Sequence, residues 1–267
     1  TTIMTPDPFT TSPSVMAVEL LMEMVSRDIR HAPVVTNGKI AGMVSSSDLL
    51  RLEHNNPLYL IGLISSQDTV QGLAQVARRL PFLVGHLVHQ DASADDIGRV
   101  VTGVGDGIAR RLLEMTEAEL GAPPVPYCWV TLGSQARHEQ GLSSDQDHAM
   151  IIADEATEED APWFLELATK VSDGLAACGY PYCDGDVMAT NPAWRVPVRR
   201  WRRVFDRWIV QPDPEALLRS SIFFDMRPLH GELGLFDEVR DPVLKATPKA
   251  TVFLAHMAKQ AVRRRPP

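Results

Sequence analysis

"YCWVTLGSQARHEQGLSSDQDHAMII", residues 127–152, decides how this chain is read. It opens on an apolar run, Tyr127 to Leu132, of the length of a buried strand. Gly133-Ser134 then breaks the run, and glycine lets the backbone turn sharply and approach a ligand closely. A helix starting at about Ser134 would aim its first N–H groups at phosphate oxygens. The Ser134 hydroxyl adds a donor, and Arg137 brings a forked guanidinium one turn later. The stretch returns to apolar residues through Asp145-Gln146-Asp147. On a strand, positions i and i+2 share a face, so both carboxylates point the same way. They repel unless a cation lies between them, and magnesium is the usual hard cation where oxygen ligands must also hold a phosphate. His138 and His148 read as bystanders, the latter on the strand face opposite Asp147.

The flanking residues extend this into an α/β (α+β) core with a mixed sheet and flanking helices. "EEDAPWFLELATKVSDGLAACG" (158–179) is an amphipathic helix closed by Gly179, a C-cap glycine. "YPYCDGDVMA" (180–189) reads as a third strand. "WRVPVRRWRRVFDRWIV" (194–210) is helical and rich in Arg and Trp; the favoured reading is a Trp/Val/Phe core stripe with a solvated basic face. "PEALLRSSIFFDMRPLHG" (214–231) is a helix with an extended tail.

The pattern Gly-Ser, then Asp-x-Asp on the next strand, resembles the DNA polymerase β-like nucleotidyltransferase superfamily. Within it, "GSQARHEQGLSSDQD" is similar to the PII-protein uridylyltransferases at Gly133, Arg137, Glu139, Ser144, Asp145 and Asp147. It resembles still more the nucleotidyltransferases that follow CBS domains in bacterial signalling proteins, with "GYPYC", "VMA", "NPAW" and "FFDMRPLHG" also present. The resemblance covers most of residues 122–240. It implies that Asp145 and Asp147 bind two Mg2+ ions that clamp the triphosphate of an NTP. It implies nucleotide contacts from Gly133, Ser134, Arg137 and Ser144. It also asks for a third carboxylate, assigned first to Asp186, then Asp184, then Asp225. With all three the domain is catalytic; without the third, a non-catalytic nucleotide sensor is the alternative.

Residues 1–54 read as a small α/β unit. Val15, Val18, Leu21, Met22 and Val25 fall at helical spacing behind Ser14, a candidate N-cap. "HAPVV" and "KIAGMVS" are short strands joined through Asn37-Gly38, a strong hairpin signal. Ser47-Asp48 then opens a short helix, "DLLRLE". The segment resembles one CBS motif over residues 4–51. That implies an adenosine nucleotide held by His31, Pro33, Val34, Ser45 and Asp48, the last two on the ribose, and a homodimer through this module or the helices that follow.

Residues 55–121 read as a helical connector, interrupted at Pro81 and restarted at Asp91 or Ser93. Residues 122–240 form the nucleotidyltransferase-like domain, and 241–267 begin a further helix. The net charge of −8 argues against a general nucleic-acid binder. Three cysteines without a CxxC spacing argue against a disulfide framework or zinc site. With no apolar run long enough for a membrane span, the expected place is the cytoplasm. The start at Thr1 and the end in "RRRPP" suit a piece of a longer chain. The acceptor implied by the uridylyltransferase resemblance is a hydroxyl on a PII-like signalling protein or a small molecule.

Overall fold

A computed structural model describes residues 8–49 and 57–263. The chain divides into two compact units, 1–60 and 61–267.

In the first unit, helix α1 (Ala17–Ser26) precedes an antiparallel hairpin of β1 (His31–Thr36) and β2 (Lys39–Ser45). Asn37 and Gly38 both have positive φ, 51° and 73°, as a tight hairpin turn between right-twisted strands requires. The core is Leu20, Met24, Ala32 and Leu49. This corrects the expected stripe: Val15, Met22 and Val25 are exposed, and the helix turns Leu20 and Met24 inward instead. Ser14 is not the N-cap. Its hydroxyl pairs with that of Ser12, and Met16 occupies the cap position without a side-chain bond. The end of "DLLRLE" lies outside the described residues.

In the second unit, helices α2 (Pro57–Ser65, which straddles the division), α3 (Val70–Ala77), α4 (Leu80–His89) and α5 (Ala94–Leu120) precede the sheet. Pro81 sits in the first turn of α4, where its missing N–H costs nothing, and so separates α4 from α3. Ser93 caps α5, its Oγ accepting from Asp96 N at 3.1 Å.

The sheet has the order β5-β4-β3-β6, with β3 Tyr127–Thr131, β4 His148–Ile152, β5 Arg195–Pro197 and β6 Arg227–Gly231. β3 runs antiparallel to β4 and β6, while β5 runs parallel to β4, so the sheet is mixed. Every residue of β3 and β4 is buried, which fits a sheet covered on both faces. On one face Cys128, Val130, Ala149 and Ile151 pack with Trp201, Phe205 and Val239. These come from α8 (Val198–Val210) and α10 (Gly234–Ala246). On the other, Tyr127 stacks edge-on against Phe164 of α7 (Ala161–Ala177) and donates to Glu117 of α5 at 2.6 Å. Helices α9 (Pro214–Phe223) and α11 (Thr251–Arg263) complete the unit.

Two expectations change. Residues 180–189 form no strand; Asp184 and Gly185 make a turn, and β5 takes the edge of β4. The segment stays alongside through single bonds, including His148 N to Val187 O at 3.1 Å. A further helix does not begin at residue 241: α10 runs through that position with Pro242 inside it, and α11 follows from Thr251.

Candidate functional site

The site begins where β3 ends. Leu132 N donates to Asp147 O at 3.0 Å, which carries the β3–β4 ladder one step past the strands. The aspartates therefore stand on the extended lead-in to β4 rather than within it. The chain turns at Gly133, φ 51°, into the single-turn helix α6 (Gly133–Ala136). A Cβ at 133 would stand 3.0 Å from Asp147 Oδ2, so only glycine lets the turn and the carboxylate approach this closely. Ser134 is half-buried at the same turn.

Alternation sorts the lead-in. Gln146 and His148 are buried on the α7 side. Gln146 Nε2 donates to the carbonyls of Ser172 and Tyr180 at 3.0 and 2.9 Å. His148 Nδ1 accepts from Ala189 N at 3.0 Å, so its other nitrogen is the donor to Gln146 Oε1, also at 3.0 Å. Its ring lies 4.5 Å from that of Trp129. Burial pushes the His148 pKa down to about 3, so the ring is neutral. This network fixes the register that turns Asp145 and Asp147 to the opposite side. His148 thus faces away from the carboxylates, as expected, but it anchors their strand.

Asp145 is exposed and Asp147 half-buried. Burial raises the Asp147 pKa, a hydrogen bond from Cys183 opposes the rise, Asp145 adds to it, and Arg137 opposes it. Asp145, Asp147 and Cys183 form a group whose ligand atoms all lie within 4.8 Å of one another. The two carboxylates suit a hard divalent cation. The thiol does not complete that set: burial pushes its pKa up to about 11, so it keeps its proton and donates to Asp147.

Asp186 is not brought to this group. It sits at φ 55°, and its Oδ2 accepts from Asn191 Nδ2 at 2.7 Å. The loss of the expected strand at 180–189 is the reason. Asp184 is exposed on the same turn. Asp225, on the lead-in to β6, is not in the group either, but it is bonded to Arg137. Arg137 Nη1 donates to Asp225 Oδ2 at 2.6 Å and Arg137 Nε to Glu139 Oε2 at 2.8 Å. Ser144 is turned to its own loop, its Oγ accepting from Gly141 N at 2.9 Å.

Sequence reasoning missed Asp106. From α5 it accepts from Gln135 Nε2 of α6 and from Arg227 Nη2 of β6, both at 2.9 Å, while Arg227 also reaches Gln135 O. This pair clamps the Gly133 turn to the sheet. The available signal was a carboxylate inside the apolar stripe of Val101, Val104, Ile108 and Leu112.

The family described as Putative nucleotidyltransferase DUF294 matches residues 78–215, more than half of the 267 residues. The chain belongs to this family. The DUF294 match takes in the Gly133 turn and both aspartates of the lead-in, and it begins early enough to include α4 and α5. A CBS domain matches residues 1–55, so the chain joins a CBS domain to a nucleotidyltransferase-type domain. No curated protein matches the chain.

In the CBS unit, Ser45 and Asp48 are joined to each other. Ser45 N and Oγ donate to Asp48 Oδ2 at 3.0 and 2.6 Å, and Asp48 N donates back to Ser45 Oγ at 3.1 Å. This is a reciprocal N-cap, so Ser45, not Ser47, opens the helix that follows. His31 pairs with Ser45 across the hairpin. Thr11 bonds Pro33 O and Val35 N, at 2.9 and 2.8 Å, which fixes Pro33 and Val34 beside it. Among the described residues no helix is long and apolar enough to cross a membrane.

Proposed function

We propose that the protein is a magnesium-dependent nucleotidyltransferase that moves a nucleoside monophosphate from an NTP to a hydroxyl, on a PII-like protein or a small molecule. The observation that carries this is the pair Asp145 and Asp147, held on one side of the lead-in to β4 against the Gly133 turn. Their hard oxygens fit magnesium, which when bound supplies neutralisation of the triphosphate and polarisation of its α-phosphorus. Gly133 and Ser134 offer backbone and hydroxyl donors to phosphate oxygens. Arg137, exposed on one side, offers its remaining guanidinium N–H groups. Asp225, which shares Arg137 with the site, would be the third carboxylate that takes the acceptor's proton. The acceptor oxygen bonds to the α-phosphorus, the bond to the β-phosphate oxygen breaks, and pyrophosphate leaves. The CBS unit regulates the transfer by binding an adenosine nucleotide and pairs in a homodimer, with Asp48 exchanging its bond to Ser45 for ribose hydroxyls.

The test is incubation with each labelled NTP, magnesium and cell extract, beside Asp145→Asn/Asp147→Asn. Label transfer and pyrophosphate release that vanish in the double variant support the reading. Tight NTP binding with no pyrophosphate release overturns it in favour of a nucleotide sensor. One observation favours that second reading: Asp186 is bonded to Asn191, and the third member of the cluster is the Cys183 thiol rather than a carboxylate.

A further inference from the structure

Helix α8 treats its arginines unequally. Arg199 is paired with Asp154, and Arg202 with Glu238. Arg200 and Arg207 form no ion pair among the described residues, although the chain carries 34 acidic residues against 26 basic ones. Both line a cavity of about 300 Å³. Its other walls include Trp194 and Trp208, which are buried, and Arg219 of α9, whose guanidinium lies 4.8 Å over the Trp194 ring. Asp213 is the one carboxylate among its described lining residues. Among the described lining residues Arg200 and Arg207 thus stand without an ion-pair partner, beside aromatic walls that lower the local dielectric and strengthen their pull on an anion.

We propose that this cavity is a binding site for a small phosphorylated ligand bearing at least two linked anionic groups. Arg200 and Arg207 are two helical turns apart, about 10.5 Å along the axis. That separation suits linked phosphates better than a single one. Arg219 over the Trp194 ring adds positive charge to the wall that faces them. The cavity also adjoins the turn that follows Cys183. Asn191 lines the cavity and donates to Asp186, and Trp194 Nε1 donates to Asp186 O at 3.1 Å. A ligand here therefore acts on the turn that carries Cys183, the neighbour of Asp147.

Tryptophan fluorescence reads the site directly. The full chain in EDTA, which keeps magnesium from the aspartates, is titrated with pyrophosphate. Saturable quenching is expected. Arg200→Gln and Arg207→Gln should each weaken it about tenfold, the worth of one charge-assisted contact. Arg203→Gln, on the same helix but outside the cavity, and Asp145→Asn/Asp147→Asn should bind as the unaltered protein does. The conservative pair Arg200→Lys/Arg207→Lys should fall between, because charge remains and the fork is lost. Displacement of pyrophosphate by ATP assigns the site to a nucleotide's phosphates. Failure of ATP to displace it assigns the site to another phosphorylated metabolite. Absence of saturable binding, equal binding by the Arg200→Gln and Arg207→Gln variants, or an equal loss in Arg203→Gln overturns the proposal. Because the aspartate variant is read separately, this outcome is independent of whether the protein transfers nucleotides.

Discussion

Gly133 and Asp147 approach so closely that a side chain at 133 would press on the Asp147 carboxylate. A Cβ at position 133 would meet Asp147 Oδ2 at 3.0 Å, at a φ of 51° that L-residues seldom adopt. Gly133→Ala should therefore cost about 1 kcal/mol from the left-handed backbone. The displacement of Asp147 should matter more: its carboxylate must give by a few tenths of an ångström, and about 1 Å in a positioned group lowers a rate by about 100-fold, so transfer should fall by several-fold. Thermal melting and nucleotide transfer on the same preparation check this. A variant with full transfer would show that the close approach is unimportant.

Arg137 should separate stability from activity. Its pairs with Glu139 and Asp225 are partly exposed, its side chain being 41% accessible, and such pairs contribute about 0–1 kcal/mol. Arg137→Gln should leave the melting temperature nearly unchanged. On the proposed function it should reduce transfer at least tenfold, because one guanidinium both reaches phosphate and holds Asp225. A large drop in melting temperature with transfer intact would reverse the assignment.

How far the sequence could be read depended on the range of the deciding force. Asn37-Gly38, Pro81 and Gly179 act through their own backbone and Ser93 through its own hydroxyl, all within a few residues, and each marks the turn, break or cap it was read as. The Gly133 turn and the Asp145/Asp147 pair were legible for the same reason. Residues 180–189 were not. Val187, Met188 and Ala189 are as buried as a strand would be, but Arg195 donates to the carbonyls of Ala189 and Thr190, and β5 takes the β4 edge. With that strand went the expected position of Asp186. In α1 the apolar residues outnumber one face, and packing against Ala32 and Leu49 selected Leu20 and Met24.

Asp106 should prove structural for the whole site. It is paired with Arg227, 121 residues away, and its side chain is only 8% accessible. Removing one partner of a buried pair strands the other charge, at about 3–5 kcal/mol. Asp106→Ala should lower stability by that order, measured by denaturant unfolding. Asp106→Asn retains an acceptor for Gln135 and should lose less. Equal, small losses in both variants would mean that the pair does not clamp α6 to β6.

His148 makes the stability of this unit pH-dependent, with a definite sign. Its folded pKa is pushed down to about 3 by burial, below the ordinary 6.5. Between those values the unfolded chain takes up a proton that the folded one refuses. The contribution is therefore complete above pH 6.5, and it falls away as pH drops toward 3. From pH 7 to pH 5 one such group removes about 2 kcal/mol. Other titrating groups act over the same range, so the informative quantity is a difference. His148→Gln, less stable at pH 7 through the lost packing on Trp129, should show a slope against pH shallower by that amount. Parallel slopes for the two proteins would mean that the folded His148 titrates normally. The neutral ring that fixes the Asp145 and Asp147 register would then be the wrong description.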